Sequence, residues 1–281
     1  MSSPGEVRFR LVHLTDTHIM VGGKWRPRSA DFEFDTEASL RRVVATVRML
    51  DPPPAFAVLG GDLASPDLLP RDRPPTAEEW EPSYRRLAEI LGELPCPIHF
   101  LVGNHDHRVA FNRVLRRDAP AADAPHYYAF DHEGYRFVAL DSQEPGQAGG
   151  FVDPAQLAWL ERDLARHRER PTILFVHHHP WPLGLRWIDT MRIRNGDALM
   201  TMLQGHAQVR WVVCGHVHLD QVIEGGRLTM LTTPSTCLQM SKVSQAGKAL
   251  PGPPAFRVID VAGDALSTRV LHLRDDGSGE L

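Results

Sequence analysis

The sequence predicts an α/β fold organised as a single domain over residues 1–281, and three features carry that reading. Short apolar runs of strand length alternate with helical segments through most of the chain, after which β-structure dominates. No internal repeat or low-complexity tract divides a length that can bury one large core. Five of the apolar runs also end abruptly in clusters of Asp, Asn and His.

Taken in order, residues 7–15 form a strand ending in Asp16-Thr17-His18. Asp35 caps a helix over residues 36–50 that carries Leu40, Val43, Val44 and Val47 on one face, and Pro52-Pro53-Pro54 stops it. Residues 55–59 are a short strand ending in Gly60-Gly61-Asp62. Residues 66–75, rich in proline and charge, read as an exposed loop, and Thr76 with Glu79 forms a capping box that opens a helix toward Leu94. The strand at 98–102 ends in Gly103-Asn104-His105-Asp106. Residues 127–130 and 135–140 form a hairpin, and Asp153, Pro154 and Gln156 start a helix that buries Leu157, Leu160 and Leu164. The strand at 172–176 ends in His177-His178-His179-Pro180. After a helix at 196–205, the strand at 209–214 ends in Gly215-His216-Val217-His218. Hairpins at 221–232 and 256–273 close the chain, on either side of a polar insert at 238–254 expected to act as a lid or dimer contact.

Bulk properties exclude several classes of function. A formal charge of −4 gives no reason to expect a nucleic-acid polymer or an anionic membrane as partner. No apolar run approaches the roughly 20 residues that span a bilayer, and the first ten residues lack the apolar core of a signal peptide. With three scattered cysteines and no CxxC pair, the expected setting is the reducing cytoplasm, with free thiols. The outlying number is histidine, at 15, several of them clustered.

The strand ends explain the histidines. Parallel strands align their carboxyl ends, where ligands bind in α/β sheets, so the five clusters are expected to converge. Their chemistry is carboxylate, amide and imidazole without thiolate, a set suited to Mn, Fe, Co or Zn. In extended chain, residues two apart point the same way, so both members of Asp16-x-His18 and of His216-x-His218 reach one site. The same rule turns His177 and His179 away from His178, which is taken as the ligand.

Asp-x-His, Gly-Asp, Gly-Asn-His-Asp, a late His and Gly-His-x-His, in this order from Arg10 to His218, resemble the calcineurin-like metallophosphoesterases. Pro234-Ser235-Thr236-Cys237 is similar to the class III cyclic nucleotide phosphodiesterase branch. The resemblance implies a four-layer α-β-β-α sandwich, two mixed sheets flanked by helices. It implies that Asp16, His18, Asp62 and His218 hold one metal ion, and that Asp62 bridges to a second, completed by Asn104, His178 and His216. It favours His178 again, because the family ligand lies two positions before a proline, as His178 does before Pro180.

With two such ions, a bridging water becomes a hydroxide nucleophile near neutral pH. Two dications, two carboxylates and a hydroxide leave one formal positive charge, which a phosphodiester monoanion neutralises. His105 is then the candidate general acid and Asp106 the group that fixes its tautomer. His107, Arg108, Arg194 and Asn195 are candidate substrate contacts, and Trp181 and Trp187 could stack on a nucleobase. The expected activity is hydrolysis of a small phosphodiester, first of all a 3′,5′-cyclic nucleotide. Glycerophosphodiesters are the alternative substrates, and a homodimer is an open possibility. A non-catalytic scaffold would lack ligands, whereas every position here is filled.

Overall fold

The computed structural model describes residues 7–27, 32–263 and 265–273. The first half supplies β1 (Phe9–Leu14), α1 (Thr36–Arg48), β2 (Phe56–Leu59), α2 (Ala77–Leu91), β3 (Ile98–Phe100) and α3 (Arg108–Val114). The second supplies β4 (Tyr128–His132), β5 (Tyr135–Leu140), α4 (Pro154–Arg166), β6 (Thr172–Val176), α5 (Arg186–Asp189), α6 (Gly196–Gln204) and β7 (Val209–Cys214). The hairpin β8 (Gln221–Gly225) and β9 (Leu228–Thr232), the short ribbon β10 (Gln239–Met240) and β11 (Ala249–Leu250), and the hairpin β12 (Ala255–Ala262) and β13 (Ala265–His272) follow.

Local signals act as their chemistry requires. The Asp35 carboxylate accepts from the Ala38 N–H, and the Asp153 carboxylate from the Gln156 N–H. The Glu79 carboxylate accepts from the Thr76 N–H at 2.7 Å.

The strands form two mixed sheets, one ordered β13-β12-β1-β2-β3 and the other β4-β5-β6-β7-β9-β8. Strands β1, β2 and β3 run parallel in the first, and β5, β6, β7 and β9 in the second. Alternation along each strand builds the layers. Leu11, Phe56 and Val58 meet Phe137, Ile173 and Phe175 between the sheets. Val12, Leu14 and Leu59 face Leu40 and Val44 of α1 and Tyr84 and Leu87 of α2. Val138, Leu174 and Val212 face Leu160 of α4 and Leu199 and Leu203 of α6. The order is helix, sheet, sheet, helix, as the resemblance implies.

One polar group is locked into the first sheet. The Arg10 guanidinium donates to both oxygens of Asp260, at 2.6 and 3.0 Å, and both side chains are more than 90% buried. Asp260→Ala leaves the Arg10 charge buried without its partner, so a loss of about 3–5 kcal/mol in unfolding free energy is expected. Urea denaturation measures it; a change under about 1 kcal/mol would show that the pair is dispensable.

The loop expected at 66–75 is more structured than its composition suggests. Pro66–Leu68 forms a tight helical turn, and its Asp67 has a functional neighbour.

Candidate metal centre

The residues that follow β1, β2, β3, β6 and β7 meet at one site. Asp16, His18 and His218 each place a ligand atom within 4.8 Å of the others, and so do Asp16, Asp62 and His177, and His177, His178 and His216. In the first group His218 Nε2 lies 3.1 Å from Asp16 Oδ1 and 3.3 Å from His18 Nε2. Asp62 is shared: its Oδ2 lies 4.0 Å from His18 Nε2 and its Oδ1 3.4 Å from His177 Nε2. Asn104 Oδ1 is 3.3 Å from the same His177 nitrogen.

The backbone is bent to achieve this. Among the described non-glycine residues φ is positive at Asp16 (55°), His18 (43°), Asp62 (50°), His216 (67°) and His218 (54°), the sixth being Glu133 in the β4–β5 turn. Left-handed backbone is uncommon for residues with a Cβ, and here it gathers on the ligand set. Asp16 and His18 do reach one ligand group, whereas His216 and His218 reach two different groups along the same cleft, and left-handed turns rather than extended chain place all four. Packing is equally tight: a Cβ at Gly103 would lie 2.2 Å from Asp62 Oδ1, and one at Gly215 2.1 Å from Thr15 Oγ1. Only glycine fits those approaches.

These residues fit a pair of metal ions. His18, His177 and His178 each engage Nδ1 with a neighbour, the Ser65 hydroxyl, the Gly60 carbonyl and the Ser142 hydroxyl respectively, which leaves Nε2 toward the centre. His218 Nδ1 lies 3.2 Å from the Leu238 carbonyl. Such outer partners fix the tautomer of a metal-binding imidazole. Nε2 of His178 and of His216 are buried without a partner among the described residues, an arrangement that a cation would satisfy. The Asp16 carboxylate is braced by the Thr15 hydroxyl at 2.6 Å and the His216 N–H at 3.0 Å. Ser235 donates to the Asp16 carbonyl, so the Pro-Ser-Thr-Cys segment holds this turn in place.

Protonation states agree with the fit at His18, His178, His216 and Asp62, whereas at His177 burial is outweighed by the Asp62 and Asp16 charges, which raise its pKa to about 9. Burial lowers the pKa of His18 to about 3 and holds His178 and His216 well below the usual imidazole value, so all three are neutral. Asp62 stays ionised: burial pushes its pKa up, but the charges of His177 and His105 outweigh it and hold it well below the usual carboxylate range. Metal ligands need these forms.

Several expectations are corrected. His177 does not face away. Strand β6 ends at Val176, so the alternation rule lapses, and both the His177 and His178 rings turn inward, at 87° to one another. Asp106 does not orient His105. Its buried carboxylate accepts from the N–H groups of Gly103, Leu63 and Ala64 and from the Tyr84 hydroxyl, tying the Asp62 and Asn104 loops together. The group at His105 is Asp67, whose Oδ2 lies 2.9 Å from His105 Nδ1, a pairing from the 66–75 loop that the sequence reading missed. His107 caps α3 through Nδ1, Arg108 pairs with the buried Asp141, and Arg194 pairs with Glu144 and lies over the Phe151 ring. Asn195 bonds both backbone groups of Val152. None of these four lines the cleft of about 220 Å³ above the centre, whose floor is His18, Asp62, Asn104, His105, His216 and His218. Trp181 packs against the core beneath the second sheet, whereas Trp187 lines the cleft.

A family model for calcineurin-like phosphoesterases matches residues 9–220. The chain is 30% identical over 268 residues to the 3′,5′-cyclic adenosine monophosphate phosphodiesterase CpdA of Escherichia coli K12, covering 95% of this chain and 90% of that protein. It is 30% identical over 237 residues to the glycerophosphodiester phosphodiesterase GpdQ of Enterobacter lignolyticus, covering 82% of this chain and 78% of that protein. Among solved structures, a dimetal phosphatase from Danio rerio superposes with a TM-score of 0.71 at 14% identity, over 94% of this chain and 96% of that one. That last likeness speaks for the fold alone.

Proposed function

The chain belongs to the calcineurin-like phosphoesterase family and is a metal-dependent phosphoric diester hydrolase, and from that premise we propose that it hydrolyses 3′,5′-cyclic nucleotides at a dinuclear centre held by Asp16, His18, Asp62, Asn104, His216 and His218 with an imidazole of the His177-His178 pair. The observation that carries the reading is the position of Asp62 at the floor of one cleft, with Oδ2 4.0 Å from His18 Nε2 and Oδ1 3.4 Å from His177 Nε2. When bound, the metal pair supplies Lewis-acid activation of water and offsets phosphoryl charge.

The chain's own residues do the rest. Asp16 and Asp62 contribute two negative charges, which leaves a site suited to a monoanionic diester. His105 lies beside Asn104 at the floor of the cleft, its Nδ1 engaged by Asp67, which leaves Nε2 to donate a proton to the departing ester oxygen. His105 is favourably charged for this. Burial opposes its protonation, but Asp62 and the Asp67 hydrogen bond prevail and raise its pKa to about 9. Support for the cyclic substrate comes from the CpdA relative, which matches nearly the whole chain.

The test is metal removal followed by substrate comparison. Chelator-stripped protein is expected to lose hydrolysis of cyclic AMP and of a generic aryl diester, and to regain both with Mn or Co. Full activity of the stripped protein would overturn the dinuclear assignment. Faster turnover of glycerophosphocholine than of cyclic AMP would transfer the substrate assignment to glycerophosphodiesters.

A further inference from the structure

The walls of the cleft differ from its floor. Four separate segments build them: Trp25 from the loop after β1; Ala148 from the loop between β5 and α4; Trp187, Ile188 and Met191 from α5 and the turn beyond it; and Leu238 and Met240 from the β10 strand and its approach. No lysine or arginine of the described residues lines the cleft, and its sole carboxylate is Asp62. An aromatic and thioether surface thus stands directly over a metal-ligand floor.

The surface is held in place. Trp25 packs on Phe34 at 6.0 Å between ring centroids and lies 5.5 Å from the His18 ring. The Asp189 carboxylate accepts from the Leu183 and Gly184 N–H groups at 2.7 and 2.9 Å, which fixes α5. The indole of Trp187 is backed by Gly247 of the 238–254 insert, where a Cβ would come within 3.1 Å of the ring. The Leu238 carbonyl reaches His218, so the wall and the metal ligands share a support. The Trp187 indole N–H is buried and has no partner among the described residues, whereas a buried indole usually finds one.

We propose that Trp25, Trp187, Met191 and Met240 seat the flat, uncharged base of the substrate, an assignment that rests on the cyclic-nucleotide reading above. Indole faces stack on bases irrespective of their sequence, and thioethers make favourable contacts with aromatic rings. A quaternary ammonium group also suits aromatic walls, but this wall has no free carboxylate and stands over a cationic centre. A neutral ring fits better than a choline. The cleft of about 220 Å³ is small beside the roughly 300–1,000 Å³ of ordinary ligand sites, a size that suits a single base.

The experiment compares cyclic AMP with its abasic counterpart, ribose 3′,5′-cyclic phosphate, in the metal-loaded wild type and in Trp187→Ala and Trp187→Phe. Metal content and thermal unfolding are measured on each protein. The wild type is expected to prefer cyclic AMP by roughly tenfold or more, through KM. Trp187→Ala is expected to erase that preference with metal content unchanged, and Trp187→Phe to keep most of it. Quenching of tryptophan fluorescence by cyclic AMP in metal-stripped protein is expected to weaken in parallel in the alanine variant. Equal use of both compounds by the wild type, or an equal loss on both in Trp187→Ala, overturns the base seat. Hydrolysis of neither compound, with an aryl diester still cleaved, overturns the cyclic-nucleotide reading instead. If Trp187→Ala loses metal or unfolds early, Met191→Ala provides the same comparison: a reduced preference for cyclic AMP supports the seat, and an unchanged one overturns it.

Discussion

Asp62→Asn is expected to lower kcat/KM by at least ~10³-fold and to reduce the bound metal below two ions per chain. Loss of an outer partner to a metal ligand already costs about 10–100-fold, and Asp62 lies between the imidazoles of His18 and His177. Its two oxygens face different groups, Oδ2 toward His18 and Oδ1 toward His177. The asparagine keeps the shape and removes the charge that would sit between two dications. The metal-free variant is expected to be less stable than the metal-free parent at neutral pH, because the charges of His177 and His105 hold the Asp62 pKa below its unfolded value and its ionised form therefore favours the folded state. Elemental analysis and thermal unfolding read these two effects separately. Two bound ions with undiminished activity would overturn the bridging role.

His105→Ala is expected to lower kcat by roughly 10²–10⁴-fold with metal content intact, the range for loss of a general acid. A parallel loss of metal would make it a ligand instead. Asp67→Asn is expected to cost less, on the order of 10–100-fold, and to act through His105. The direction of its pH effect follows from the pKa: raised to about 9, His105 is protonated at neutral pH, and activity falls as pH rises through that value. Asp67→Asn removes one of the interactions that raise it, so the alkaline limb of the kcat profile moves to lower pH. A limb that stays in place would show that Asp67 supports the fold rather than the histidine.

Much of this was legible because the signals are local. Asp35, Asp153 and Glu79 satisfy N–H groups within three residues of themselves, and the motif glycines at 103 and 215 leave room that any side chain would fill. The strand at 172–176 was recovered to the residue because an uninterrupted apolar run bounded by polar clusters fits a strand buried on both faces. Where local rules ceased to apply, the reading failed. Alternation does not extend past Val176 onto His177, where the chain is no longer a strand. Adjacency pairs Asp106 with His105, but its carboxylate turns back to the backbone of residues 63 and 64.

The sequence by itself determined the ligand types, their order along the chain and the strand ends that carry them, because each is a property of a few adjacent residues. The tertiary structure alone decided that the five strand ends are divided between two sheets, with β1, β2 and β3 in one and β6 and β7 in the other. It alone brought Asp67 to His105 across 38 residues and assembled Trp25, Trp187 and Met240 into one wall. Contacts of that kind depend on how layers pack and where loops return. No periodicity or spacing encodes them, because the partners share no local backbone.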